Sequence, residues 1–260
     1  YDLIKDEHQC YINKGIVETL SIQLPELIGK ELYEVAPHCK YFYPVIESFI
    51  ESLIWRKTGT ITEKLIEYVN EFFRYQESHD KFLDVLLLVA SNPKHYFNAD
   101  SLHKHLMKFA LPDRDAWWSI YVHDKFDEKT SVRRLIDWAW SDEDKSHISD
   151  DSIRLTAKAI AWFLTSSNRF LRDSATKALV ALLENRISVL LQLLKEFEGV
   201  NDPYVYERLF AVAYGCTLRT KDTNALKSLS EYIYQTIFDK EYVYPHILLR
   251  DYAREIIEYL

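Results

Sequence analysis

The sequence predicts an all-α protein built from antiparallel helix pairs that stack along the chain. Three observations predict it. Glycine and proline number only 5 and 7 in 260 residues, about a third of the ~12% that average usage supplies. Apolar residues recur at helical spacing from end to end, with no alternating strand pattern of useful length. Similar helix openings return at Arg172, Arg208 and Arg250, at intervals of 36 and 42 residues.

Taken in order, residues 1–141 read as an irregular helical segment. Helices are expected near 12–23, 25–35, 44–56, 61–75, 80–90, 99–109, 113–125 and 130–140. Pro25, Pro37, Pro44, Pro93 and Pro112 fall between them or in their first turns, where a missing N–H does least harm. Tyr41–Tyr43 and Ser119–Val122 are the only strand-like runs, and both are short. The stretch 142–151, with Asp142, Glu143, Asp144, Asp150 and Asp151, is the most polar and reads as a junction. Beyond it the pattern is regular. Ile153, Ala157, Ile160, Ala161 and Leu164 give a helix capped by Asp151 or Ser152. Leu171, Ala175, Ala178 and Leu182 form the next stripe, and Ile187, Leu190, Leu191, Leu194 and Phe197 another, stopped by Gly199. Asp202–Pro203 is a cap followed by proline at the first helical position, opening the stripe Val205, Leu209, Val212, Ala213 and Cys216. Two last stripes run Leu226, Leu229, Ile233, Ile237 and Leu249, Ala253, Ile256, Ile257, Leu260.

The openings Phe170–Ala175 and Leu248–Ala253 both read Leu-Arg-Asp, and Asp202 leads to Arg208 between them. The average spacing and the pairing of helices resemble HEAT or armadillo repeats, so residues 151–260 are expected to form a HEAT-like α-solenoid. The resemblance implies that Asp202 and Arg208, with Arg172 and Arg250, form a ladder between repeats. Ser166 and Tyr244 stand where the other two units would carry the matching aspartate, so the repeats are degenerate.

Composition bounds the function. Hydrophobic residues make up 48% and aromatic residues 14%, which excludes disorder. The net charge of −8 argues against a broad nucleic-acid surface. Cys10, Cys39 and Cys216 are few, odd in number and far apart, as expected of a reduced cytoplasmic protein without a disulfide framework. No apolar run approaches a membrane span; the longest aliphatic stretch is Val85–Ala90. The absence of an initial methionine and the ending in mid-pattern at Leu260 read as a fragment of a longer protein.

No phosphate-binding glycine loop, nucleophile elbow or HExxH motif occurs, so no catalytic, cofactor or metal residue is assigned. His103 and His105 are two apart and face differently on a helix, while His38–Cys39 and His8 with Cys10 lack partners for zinc. Asp142–Asp144 lacks the glycine and final glutamate of a calcium loop. Six tryptophans exceed what one core readily absorbs, and Trp117 and Trp118 are the candidate anchors for a protein partner.

Three strings, Gly15–Pro25, Ser48–Arg56 and Leu111–Ser119, resemble the helical region beyond the ATPase core of bacterial antiviral STAND NTPases of the AVAST type. The resemblance runs from about Gly15 to Leu218. It implies a parent with an N-terminal effector, a nucleotide-driven switch and a C-terminal helical array that senses a phage protein and promotes oligomerisation. For this chain it implies a non-catalytic linker or sensor in the cytoplasm, without cofactor or membrane contact, bound to a phage protein and to the other domains of its parent. Two rivals stand beside it: a stand-alone HEAT-type protein-binding scaffold, and a HEAT-like protein acting on DNA through Arg133, Arg134, Arg154, Lys158, Arg169, Arg172, Lys177 and Arg186.

Overall fold

A computed structural model describes residues 13–37, 40–72, 75–126, 130–243 and 245–260. Among them the regular structure is all helical, with no strand. Chain contacts divide the protein into two compact units, residues 1–89 with 94–98, and residues 90–93 with 99–260.

The first unit contains α1 (Lys14–Ile28), α2 (Leu32–Val35), α3 (Tyr43–Ser52), α4 (Glu63–Glu71) and α5 (Gln76–Leu88). Helix α3 lies against both α1 and α5. Ile16, Val17, Leu20 and Leu24 supply one apolar stripe that packs with Leu32, Ala36 and Val45. The stripe ends at Leu24, yet α1 runs on through Pro25, where the sequence suggested a break. Packing of the face offsets the one lost backbone bond, and the helix stops instead at Gly29, whose φ of 65° suits a residue without Cβ. The connector after α3 is held by two buried polar contacts. Arg56 makes a bidentate pair with Glu31 at 2.7 Å, over the ring of Phe49. His95 Nε2–H donates to the Leu53 carbonyl at 3.1 Å while its Nδ1 accepts the Phe97 N–H, which sets the tautomer.

The second unit holds α6 (Ala99–Leu106), α7 (Leu111–Asp115), α8 (Trp118–Asp124), α9 (Ser131–Trp140), α10 (Asp150–Phe163), α11 (Arg169–Leu183), α12 (Ile187–Phe197), α13 (Pro203–Thr217), α14 (Thr223–Ile233) and α15 (Ile247–Glu258). Its helices meet in two interleaved series. In one, α9 packs on α11, α11 on α13, and α13 on α15. In the other, α10 packs on α6 and α12, and α12 on α14. Contacts of α10 with α11, α12 with α13, and α14 with α15 join the two series. Helix α10 sits where they converge: every residue from Leu155 to Phe163 is buried.

Several boundaries differ from expectation for local reasons. The helix expected over 113–125 is broken into α7 and α8 at Trp117, and the strand-like Ser119–Val122 is helical. Ser149, not Asp151 or Ser152, caps α10, its hydroxyl accepting the Ser152 N–H. The polar stretch 142–151 does not separate the compact units. It folds inside the second one, where Lys145 Nζ donates to the carbonyls of Ser141 and Glu143 and Arg186 donates to the carbonyl of Lys145. Its polarity marks solvent contact rather than a domain boundary.

Helices α11 and α13 approach closely at Gly215, where an added Cβ would stand 2.9 Å from a Val180 methyl. Gly215→Val should therefore destabilise the protein by about 1–3 kcal/mol through overpacking. Chemical denaturation at matched helix content checks this.

Candidate functional site

Of the sequence-predicted residues, Trp117 and Trp118 stand at the start of α8, Arg172 in α11, Asp202 at the N-terminus of α13 and Arg208 within α13. Trp118 is fully buried, stacks on Tyr121 and donates its indole N–H to the Trp162 carbonyl at 3.1 Å. It is a core residue, which corrects its reading as a surface anchor. Trp117 is half-buried, edge-on to Phe109 and against His105. Two neighbouring indoles cannot share one helix face, and the packed interior takes Trp118.

Asp202 caps α13, its Oδ1 accepting the N–H groups of Tyr204 and Val205 at 3.1 and 3.3 Å. Its other oxygen faces Arg114, not Arg208. Arg114 is fully buried, donates to Asp202 at 3.2 Å and to Asn201 Oδ1 at 2.6 Å, and lies over the Trp162 ring. Asn201 in turn donates to the Phe109 carbonyl at 3.1 Å. The short helix α7 is thereby locked to the α12–α13 turn.

Arg208 donates to Asp173 on α11 at 2.9 Å, a contact between successive members of one series. Arg172 donates to the Ser166 carbonyl at 2.7 Å. The guanidiniums of Arg172 and Arg208 lie 5.5 and 5.9 Å from the ring of Tyr204, which stands between them. Arg250 is half-buried on α15, the next member of the series.

A second polar cluster escaped the sequence reading. Lys158 and Arg154, a turn apart on α10, reach Asp100 on α6 and Glu196 on α12. Arg154 pairs with both carboxylates at 3.0 Å, and Lys158 pairs with Glu196 at 3.0 Å and with Asp100. One turn further, Trp162 donates its indole N–H to His103 Nδ1 at 3.2 Å. Burial pushes the Asp100 carboxyl up, but hydrogen bonds from Arg154 and Lys158 outweigh it and hold it at about 2. Burial, aided by the Lys158 charge, pulls His103 from the usual 6.5 to about 4, so the ring is neutral and free to accept the indole proton. The legible signal was Arg154, Lys158 and Trp162 spaced four apart within an otherwise apolar helix.

These pairings bear on the basic residues named for a DNA-acting protein. Arg133 pairs with Asp137, Arg154 and Lys158 with Asp100 and Glu196, Arg169 with Asp173, and Arg186 with Asp150. Lys177 lies over the Trp140 ring. Among the described residues no group of three or more His, Cys, Asp or Glu is placed to hold a metal ion, and no helix is long and apolar enough to cross a membrane. His8, Cys10, His38 and Cys39, weighed above for zinc, and Tyr244 lie outside the described residues. No family model, curated protein or solved structure matches the chain.

The two arginine contacts predict opposite mutational outcomes. Arg114→Ala leaves Asp202 buried without its cation and should cost about 3–5 kcal/mol. Arg208 and Asp173 are 21% and 44% exposed, so Arg208→Ala should cost only about 0–1 kcal/mol. Urea denaturation of both variants separates the two values.

Acid should act through His103. The folded protein binds its proton only near pH 4, whereas the unfolded chain binds it near 6.5, so stability from this group is complete above 6.5 and is lost as pH falls towards 4. His103→Gln keeps an acceptor for Trp162 but cannot titrate. Its stability should fall less steeply between pH 6.5 and 4 than that of the wild type.

Proposed function

We propose that this chain is a non-catalytic helical module that binds a protein partner and relays the docking event, the linker or sensor segment of a phage-defence NTPase. One observation carries the binding part of this reading: helices of the second unit contact the next but one along the chain. Links of only three to five residues join α10 through α14 in succession. Links that short leave little length for a return crossing and favour antiparallel neighbours. Alternate-helix stacking with antiparallel neighbours is the arrangement expected of a HEAT-like solenoid, whose work is to offer an extended surface. The polar side chains support it further, because Arg154, Lys158 and Arg208 serve contacts between helices rather than converging on a cleft. The phage-defence setting, with a phage protein as partner, attachment to the parent's other domains and oligomerisation of the parent, rests on the resemblance of Gly15–Pro25, Ser48–Arg56 and Leu111–Ser119.

Relay requires that a partner contact the active form better than the resting one. A stack in which each helix grips the next but one can pass a local displacement along a series. The test is a plaque assay with the full-length parent and with a variant lacking residues 99–260, both shown to be expressed and to bind nucleotide. Loss of protection in the truncated protein is the expected result. Full protection against every phage that the parent resists would overturn the assignment.

A further inference from the structure

The edge formed by α8 and the first turns of α11 and α13 has chemistry that selects its partner. Phe170 is 78% exposed although it lies between two helical arginines, and Ile120 is 53% exposed on α8. The two elements are joined where the Ser167 N–H donates to the Ser119 hydroxyl at 3.4 Å. Tyr204, in the first turn of α13, is 39% exposed. The guanidiniums of Arg172 and Arg208 stand against the Tyr204 ring, and Arg169 precedes Phe170 on α11. Asp173 serves two of them, Arg208 at 2.9 Å and Arg169 at 3.4 Å. The contacts of Arg172 are a backbone carbonyl and the Tyr204 ring, which leave its positive charge unmatched by a carboxylate.

The edge is thus locally cationic on a chain of net charge −8. Exposed aromatic residues interleaved with arginine are the composition of protein-binding patches, where a few such anchors carry most of the affinity. A long polyanion would meet the acidic remainder of the molecule, whereas a short acidic segment would meet only this edge. The geometry points to one occupant: an acidic segment of a protein partner, with an Asp or Glu carboxylate drawn to the unmatched charge of Arg172 and an apolar side chain laid on Phe170 and Ile120. This inference rests on the protein-binding reading above and specifies its partner.

The experiment is a selection of random peptides displayed on phage particles against the whole chain. Direct binding of the recovered peptides follows, by fluorescence anisotropy, to the wild type and to two exposed-site variants, Phe170→Ala and Arg169→Glu. Both side chains are largely solvated, so the variants should keep the fold, which circular dichroism verifies. Arg172→Glu is a third variant. The expected outcome is a set rich in Asp, Glu and large apolar residues, weakened about tenfold or more by each variant, in line with loss of an interface anchor. Binding should also weaken as salt rises. Peptides that bind all three variants as well as the wild type, or that are rich in Lys and Arg, overturn the assignment of this edge and leave the protein-binding reading standing. Recovery of no peptide above background overturns both.

Discussion

Burying two cations on one helix is the constraint around which the second unit is arranged. Helix α10 is buried throughout from Leu155 to Phe163, yet it carries Lys158 within that run and Arg154, largely buried, just before it. A charge removed from water must find opposite charge or lose its proton, and arginine cannot do the latter. Asp100 and Glu196 provide that charge from α6 and α12, and both converge on the same Arg154 nitrogen. The position of those helices is therefore tied to the position of α10 by directional bonds as well as by apolar contact. Such pairs add less to stability than their geometry suggests, because desolvation offsets much of the attraction. Their effect is on which arrangement forms. A helix that slid by one turn past α10 would leave a charge unpaired.

The same logic recurs at Arg114 and Asp202. There the carboxylate has two duties, capping α13 and neutralising a buried guanidinium. Trp162 lies under Arg114 and also donates to His103, so the aromatic face of α10 links the two polar clusters. The result is a continuous polar and aromatic seam from α6 through α10 to the α12–α13 turn, surrounded by Leu, Ile and Ala. By contrast, Arg172, Tyr204 and Arg208 lie nearer to solvent, where ion pairs are weaker and a side chain can exchange one partner for another. Rigid interior contacts and adaptable edge contacts would suit the protein-binding role proposed above.

Much of this was legible in the sequence. The apolar stripes of α11 to α15 match the buried residues closely, because amphipathic periodicity directly records which face is covered. Asp202–Pro203 marked the start of α13 because a cap and a first-turn proline act through local backbone geometry. Local signals failed where tertiary packing decides. Pro25 stays within α1 although Leu27 and Ile28 beyond it are exposed, so its local breaking signal misplaces the helix end. The Asp202–Arg114 pair joins residues 88 positions apart, and nothing in the spacing around Asp202 distinguishes that partner from Arg208. Trp118 and Trp117 carry the same side chain, and only the packed structure says which is inside. Lys158 was visible as a charge in an apolar run, but its two carboxylates come from distant helices.

The charges of α10 hold α6 and α12 in place. Hydrogen exchange resolved over residues 99–106, 150–163 and 187–197 tests it most directly, comparing the wild type with an Asp100→Ala, Glu196→Ala double variant. Amides of all three helices should lose protection together in the variant, as the unpaired cations pull water into the seam. Unchanged protection of α6 and α12, in a variant that still folds, would show instead that apolar packing alone places them.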